Sequence, residues 1–150
     1  MRNSEIHDVV VTPLKLLPNE AGRLMEVQRV DDDHYPGFGQ AYITQSLNGV
    51  VKAWYRHERQ IDQIAVVSGL SKLVLYDDRE DSPTNGVVQV IMMGELQPRL
   101  VKIPPMIWHG FKAIGETSAF FLHLNTHAFD FDNPDEERLP ADDPKIPYEW

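Results

Sequence analysis

Apolar residues in this chain arrive in short bursts, and within most bursts they alternate with polar ones. QAYITQSL at 40–47, VVKAWYRH at 50–57, SKLVLYDD at 71–78 and GVVQVIMM at 86–93 show the pattern. Successive side chains of an extended strand point to opposite faces, so this alternation predicts half-buried β-strands. DVVVTPLKLL from Asp8, RLMEVQRV from Arg23, DQIAVVSG from Asp62, RLVKIP from Arg99 and SAFFLHLNTHAF from Ser118 are read the same way. No stretch carries the long apolar spacing of an amphipathic helix. Turn residues separate the runs, at Pro18-Asn19-Glu20, Pro36-Gly37, Asn48-Gly49, Ser68-Gly69, Pro83-Thr84-Asn85-Gly86 and Gly115-Glu116. About nine short strands at this spacing predict an all-β sandwich or barrel. Asn48-Gly49 is expected to close a hairpin, because that pair readily forms the tight turn between antiparallel strands. The acidic, proline-rich stretch from Phe131 onward predicts an ordered tail, or a short helical turn followed by a wrap.

Composition narrows the picture. A chain of 150 residues is expected to form one domain, spanning 1–150, with a core of its own. The net charge of −9 argues against a nucleic-acid partner, since affinity there rests on cations meeting phosphates. The acidic clusters at Asp31–Asp33, Asp77–Asp81 and Asp130–Asp143 are read as solvated loops. No apolar run is long enough for a membrane span, and the polar start MRNSEIHD has no signal-peptide core, so a cytoplasmic location is expected. With no cysteine, disulfides, thiol nucleophiles and thiolate metal sites are all excluded. Neither a phosphate loop, a GxGxxG turn nor a nucleophile elbow is present.

The chemistry concentrates around GVVKAWYRHERQID, residues 49–62. Strand parity places Val51, Ala53, Tyr55 and His57 on one face and Lys52, Trp54 and Arg56 on the other. Trp54 is then expected to pack between sheets or at a subunit contact. Counting from Gly49 through Tyr55, His57 and Asp62 to Gly69, the spacing resembles the first cupin motif. Tyr55 stands where that motif has its first histidine, and Asp62 where it has glutamate. Pro104, Met106, His109 and Ala113 partly resemble the second motif. The resemblance implies a cupin-type jelly-roll β-barrel, or double-stranded β-helix, in keeping with the strand pattern. Two readings of the residues stay open. His57, Asp62 and His109, with Tyr55 as a fourth group, have the donor types that bind one divalent Fe, Zn or similar ion. Alternatively, they hydrogen-bond inside a polar barrel mouth without metal.

GVVKAWYRHERQ, LVLYDDREDSPTNG and IPPMIWHGFKAIGE, taken in order, resemble the dTDP-4-dehydrorhamnose 3,5-epimerase family of cupins. AGRLMEVQRVDD, GFGQAYIT and PDEERLPADDPKIPYEW extend the likeness from about residue 10 to residue 150. The resemblance implies metal-free proton transfer beside the ketone of a nucleotide-linked 4-keto-6-deoxyhexose, with no cofactor, and a homodimer in which N-terminal strands reach the partner. The apolar VVVTPLKLL suits such an exchanged strand. Site roles also follow from it. The family's base histidine falls on Tyr55, its supporting aspartate on Asp143, and its tyrosine acid on Phe129, with Ala128 beside it. Its active-site arginine falls on Lys52, its enolate-assisting lysine on Asp62, and its phosphate-binding arginine on Ala21, next to Arg23. His109 is kept.

Tyr55 is a weak base near neutral pH, and Phe129 has no proton to give. Catalysis would therefore reassign the base to His57 and the acid to Tyr55, with His123 and His127, which share one face of the last strand by parity, as further contributors. Gln40 and Tyr42 are expected to bind the sugar together with Arg23, Lys52 and Phe129. Three functions follow from these residues: an epimerase or isomerase on a nucleotide sugar, a non-catalytic sugar binder or scaffold, and a metal-dependent cupin using His57, Asp62 and His109.

Overall fold

A computed structural model describes residues 5–150, so residues 1–4 of the polar start lie outside it. Two five-stranded antiparallel sheets face each other. The first runs in the order β1 (Val10–Pro13), β9 (Arg99–Ile103), β6 (Asp62–Ser68), β11 (Ala119–Asn125) and β4 (Gln40–Ser46). The second runs β12 (Glu137–Arg138), β5 (Val51–Arg56), β10 (Ile107–Ala113), β7 (Leu70–Asp77) and β8 (Val88–Gly94). A separate hairpin joins β2 (Leu16–Asn19) to β3 (Gly22–Met25). From β4 onward the chain crosses between sheets at every connection except that from β7 to β8. This is the jelly roll of the cupins, as the spacing implied. No helix among the described residues is long and apolar enough to cross a membrane.

The crossings overturn one expectation. Asn48-Gly49 closes no hairpin, because β4 pairs with β11 while β5 pairs with β10 and β12. Instead it turns the chain from one sheet to the other. Gly49 takes the left-handed conformation, at φ 74°, and its N–H donates to the Ala113 carbonyl. Val10–Pro13 pairs with β9 of the same chain.

Between the sheets lies the main core. Ile64, Val66, Leu73, Leu75, Ile91, Val101, Ile103, Ile107, Phe111 and Phe121 are buried there, each stabilising the fold by roughly 1.5–3 kcal/mol if fully withdrawn from water. A second cluster covers the outer face of the second sheet, where Trp54, Val74 and Trp108 meet Ile146, Tyr148 and Trp150 of the tail. Trp54 therefore packs beneath its own C-terminal segment, neither between the sheets nor at an exposed contact. Its backbone exchanges hydrogen bonds with Leu139, and its Nε1 donates to Ala141 O at 3.2 Å. The tail is a wrap without a helical turn.

β10 is a strand that the apolar pattern did not predict. Ile107, Trp108, His109, Gly110 and Phe111 are all buried, so neither face shows the polar alternation that marks a half-exposed strand.

Candidate functional site

A β-bulge builds one wall of the site. His109 opposes Tyr55 in the β10–β5 register, but Phe111 opposes Lys52. Between these pairs, Ala53 and Trp54 together face the single residue Gly110, and the extra residue breaks the two-residue period of β5. Lys52 and Tyr55 consequently both line one cavity of about 180 Å³, whereas parity had put them on opposite faces. Gly110 makes the close approach feasible: an added Cβ there would lie 2.4 Å from the Ala53 Cβ.

Three polar side chains converge at the cavity. Asp62, at the start of β6, is buried, and its Oδ2 lies 3.0 Å from both His57 Nε2 and His109 Nε2. Its other oxygen accepts from Gln60 Nε2. His57 Nδ1 faces the Asp135 carbonyl, and His109 Nδ1 lies 3.0 Å from the Ile107 carbonyl. The Asp135 carboxylate also accepts from the backbone N–H groups of Glu58, Arg59 and Gln60, which fixes the loop carrying His57.

Burial opposes charge on both His57 and Asp62, yet their hydrogen bonds and charges prevail. Asp62, helped by the Asp135 carbonyl and Glu136, raises His57 to about 9. Hydrogen bonds from His109 and His57 hold Asp62 well below the usual carboxylate range. A histidine so raised is protonated at neutral pH. That suits donation or charge stabilisation, and it speaks against the base role that reassignment gave His57.

The facing wall comes from the first sheet. His123 of β11 is buried, hydrogen-bonds Thr44 Oγ1 at 2.8 Å, and stacks on Tyr42 with ring centroids 4.5 Å apart. Burial lowers its pKa to about 4, against a smaller opposing pull from Asp62, so His123 is uncharged at neutral pH. Burial likewise pushes the Tyr42 phenol up, although its hydrogen bond with Asn125 works the other way.

Outside lies a mouth of about 430 Å³, which shares Tyr42, His57 and Glu136 with the inner cavity. Gln40, Arg59, His127, Phe129 and Phe131 line it. Gln40 Oε1 accepts the Phe129 N–H at 2.9 Å, and Phe129 meets Phe131 edge to face.

Tyr55, His57, Asp62, His109 and Lys52 thus meet at the inner cavity, Gln40 and Phe129 at the mouth, and Tyr42 at both. Lys52 Nζ donates to the Gln45 carbonyl at the cavity's edge. Two expected residues lie elsewhere in the chain. Asp143 turns the C-terminal wrap, its Oδ1 accepting from Lys145 N at 2.9 Å, and it supports no cavity residue. Arg23 sits on β3 beside Glu95 and lines a different groove. Thr44, Gln60, Asp135 and Glu136 were missed. Thr44 had a signal in its alternation with Tyr42 along β4, whereas Asp135 and Glu136 arrive from an irregular segment with no period to read.

The sequence matches the family model described as dTDP-4-dehydrorhamnose 3,5-epimerase over residues 3–150. It is 43% identical to the probable low-salt glycan biosynthesis epimerase Agl13 of Haloferax volcanii, covering 97% of this chain and 94% of that one. It is 39% identical to the spore coat polysaccharide biosynthesis protein SpsL of Bacillus subtilis, covering 97% and 96%. A crystal structure of a dTDP sugar isomerase from Desulfovibrio desulfuricans superposes with a TM-score of 0.92 at 34% identity, over 97% of this chain and 92% of that one.

Proposed function

The chain belongs to the dTDP-4-dehydrorhamnose 3,5-epimerase family, and from that premise we propose that it inverts a ring carbon beside the ketone of a dTDP-linked 4-keto-6-deoxyhexose. The observation that carries this reading is the pair of opposed walls. His123 comes from one sheet and Tyr55 from the other, and both line one cavity together with the His57–Asp62–His109 cluster. Inversion needs a proton to leave one face of the sugar and return to the other, so a base and an acid on facing walls suit it.

In this mechanism His123, uncharged at neutral pH, accepts the proton from the carbon next to the ketone. The bonding electrons pass to the keto oxygen, giving an enolate whose negative charge raises the proton affinity of His123. The positive charge of His57, which lines the same cavity, stabilises that oxygen. Tyr55 then gives its phenolic proton to the carbon from the opposite side; the phenolate regains a proton from solvent and His123 releases the one it took. The Arg138 guanidinium lies 5.5 Å over the Tyr55 ring.

The inner cavity, at about 180 Å³, lies below the roughly 300–1,000 Å³ of pockets for larger ligands, which suits a single sugar ring. The nucleotide would occupy the mouth, with its base against Phe129 and Phe131 and its diphosphate near Arg59 and His127. The test is incubation with dTDP-4-keto-6-deoxyglucose in deuterium oxide, followed by NMR. Inversion with deuterium at carbon 3 or carbon 5 supports the reading. Saturable binding with neither exchange nor inversion would replace it with a non-catalytic sugar binder.

A further inference from the structure

We propose that His123 Nε2–H donates to Thr44 Oγ1, which makes Nδ1 the atom that takes the sugar proton and Thr44 its positioning residue; the inference rests on the base role given to His123 above. Burial keeps the ring uncharged at neutral pH. An uncharged imidazole has one N–H and one lone pair, and only the nitrogen with the lone pair accepts a proton. The two nitrogens of His123 are placed differently. Nε2 lies 2.8 Å from Thr44 Oγ1. Nδ1 has no hydrogen-bond partner among the described residues, yet it is not one of their buried unpartnered atoms, which are Ser46 Oγ, Arg56 Nε, Asn125 Oδ1 and Trp150 Nε1. His123 is 6% exposed and lines the inner cavity, so the opening left to Nδ1 is that cavity.

The surroundings select the tautomer. Tyr42 stacks on the ring with centroids 4.5 Å apart, and Phe111 and Phe121 stand 6.3 Å away on tilted planes, so the ring meets polar groups only through its two nitrogens. The cavity before Nδ1 is lined by the protonated His57 and by Lys52, and these cations favour a lone pair there over an N–H. Asp62, the opposing charge, already accepts from Gln60 and lies against His57 and His109. Thr44 lines the cavity too, so its oxygen keeps Nε2–H while its own proton is free to turn to a ligand. The reverse tautomer would commit the lone pair to the Thr44 hydroxyl and point Nδ1–H at the sugar, leaving no atom to act as base. Proton transfer to Nδ1 charges the ring, and the Nε2–H···Oγ1 bond then becomes charge-assisted and stronger. Thr44 therefore contributes more to the transition state than to the bound substrate.

The experiment is long-range proton–nitrogen NMR of the nitrogen-15-labelled full chain at neutral pH, with His123→Gln identifying the His123 signals. A protonated Nε2 and an unprotonated Nδ1 are expected, and the reverse would overturn the proposal. The second measurement is turnover of dTDP-4-keto-6-deoxyglucose, followed by deuterium exchange. Thr44→Val should lower kcat roughly 10- to 100-fold with KM little changed, as for the loss of one hydrogen bond to a charged group, and Thr44→Ser should recover most of it. A Thr44 that only packs would show no such split, so an unchanged kcat in a folded Thr44→Val chain would overturn the proposal. Circular dichroism identifies a variant that fails to fold, in which case the spectrum of the parent chain decides. That spectrum is read without turnover. Protonated Nε2 in a chain that exchanges no sugar proton would keep Thr44 as the residue that sets the tautomer while defeating the epimerase reading. Protonated Nδ1 in a chain that does exchange would defeat this inference and leave that reading, with another base.

Discussion

Lys52 and Tyr55, three positions apart on one strand, face the same cavity, because the β5 bulge opposite Gly110 shifts the strand's parity between them. The shift depends on a glycine that lets β10 approach. A Cβ at position 110 would lie 2.4 Å from the Ala53 Cβ and 2.8 Å from Trp150 Cζ2, contacts that real side chains do not make. Gly110→Ala should therefore destabilise the chain by about 1–3 kcal/mol or more, read from denaturant unfolding. Adding Ala53→Gly should recover part of the loss. An unchanged unfolding midpoint in the single variant would contradict the packing described.

Asp62 is the shared partner of two buried histidines. Removing one member of a buried, hydrogen-bonded charge cluster costs about 3–5 kcal/mol, because the remaining charges lose their compensation. Asp62→Ala should lower stability on that order, read from denaturant unfolding. A loss below about 1 kcal/mol would place Asp62 among ordinary surface pairs.

His123 links stability to pH. Burial holds its folded pKa near 4, against 6.5 for the free side chain. As pH falls, the unfolded chain takes up this proton first, so stability is present above pH 6.5 and is lost as pH drops through 6.5 toward 4. The change should reach about 3 kcal/mol, because a tenfold difference in proton affinity between the two states is worth about 1.36 kcal/mol. Urea unfolding at pH 7 and at pH 4.5 should show a smaller difference in His123→Gln than in the parent chain. Equal differences in the two would show that His123 is not the buried neutral group described.

Asp78 fastens the tail. It accepts from Arg56 Nη1 and Trp108 Nε1 and pairs with Lys145 Nζ at 2.9 Å, joining β5, β10 and the C-terminal wrap. Asp78→Ala should cost about 1–3 kcal/mol, as expected when buried donors lose a charged acceptor. Hydrogen exchange should also quicken at Leu139, whose N–H is bonded to the Trp54 carbonyl. Unchanged protection there would mean that the tail is held by its aromatic residues alone.

The sequence made the β-rich class, most of the strands and the triad of His57, Asp62 and His109 legible, because alternation and motif spacing are local signals. β10 escaped because both of its faces are covered, the outer one by Trp54, Ile146 and Trp150, which come from distant parts of the chain. Asn48-Gly49 misled because a turn's conformation does not reveal which sheet the next strand joins. The bulge at Ala53-Trp54 was invisible because it is defined by the opposite strand. Asp143 was placed by resemblance to a family motif, and the turn it forms with Lys145 depends on how the tail folds back. His123 was readable in part: Ala119, Phe121, His123 and Asn125 are the buried positions of β11, at a strict two-residue period.

The most direct test of the central claim is position-resolved deuterium incorporation into dTDP-4-keto-6-deoxyglucose, comparing the parent chain with Tyr55→Phe. With His123 as the base on one wall and Tyr55 as the donor on the other, the parent chain should incorporate deuterium at carbon 3 or carbon 5 and invert that centre. Tyr55→Phe should still exchange the proton but lose inversion by roughly 10²- to 10⁴-fold, because the base remains and the opposite-face donor is gone. No exchange by the folded parent chain, or full inversion by Tyr55→Phe, would contradict the account.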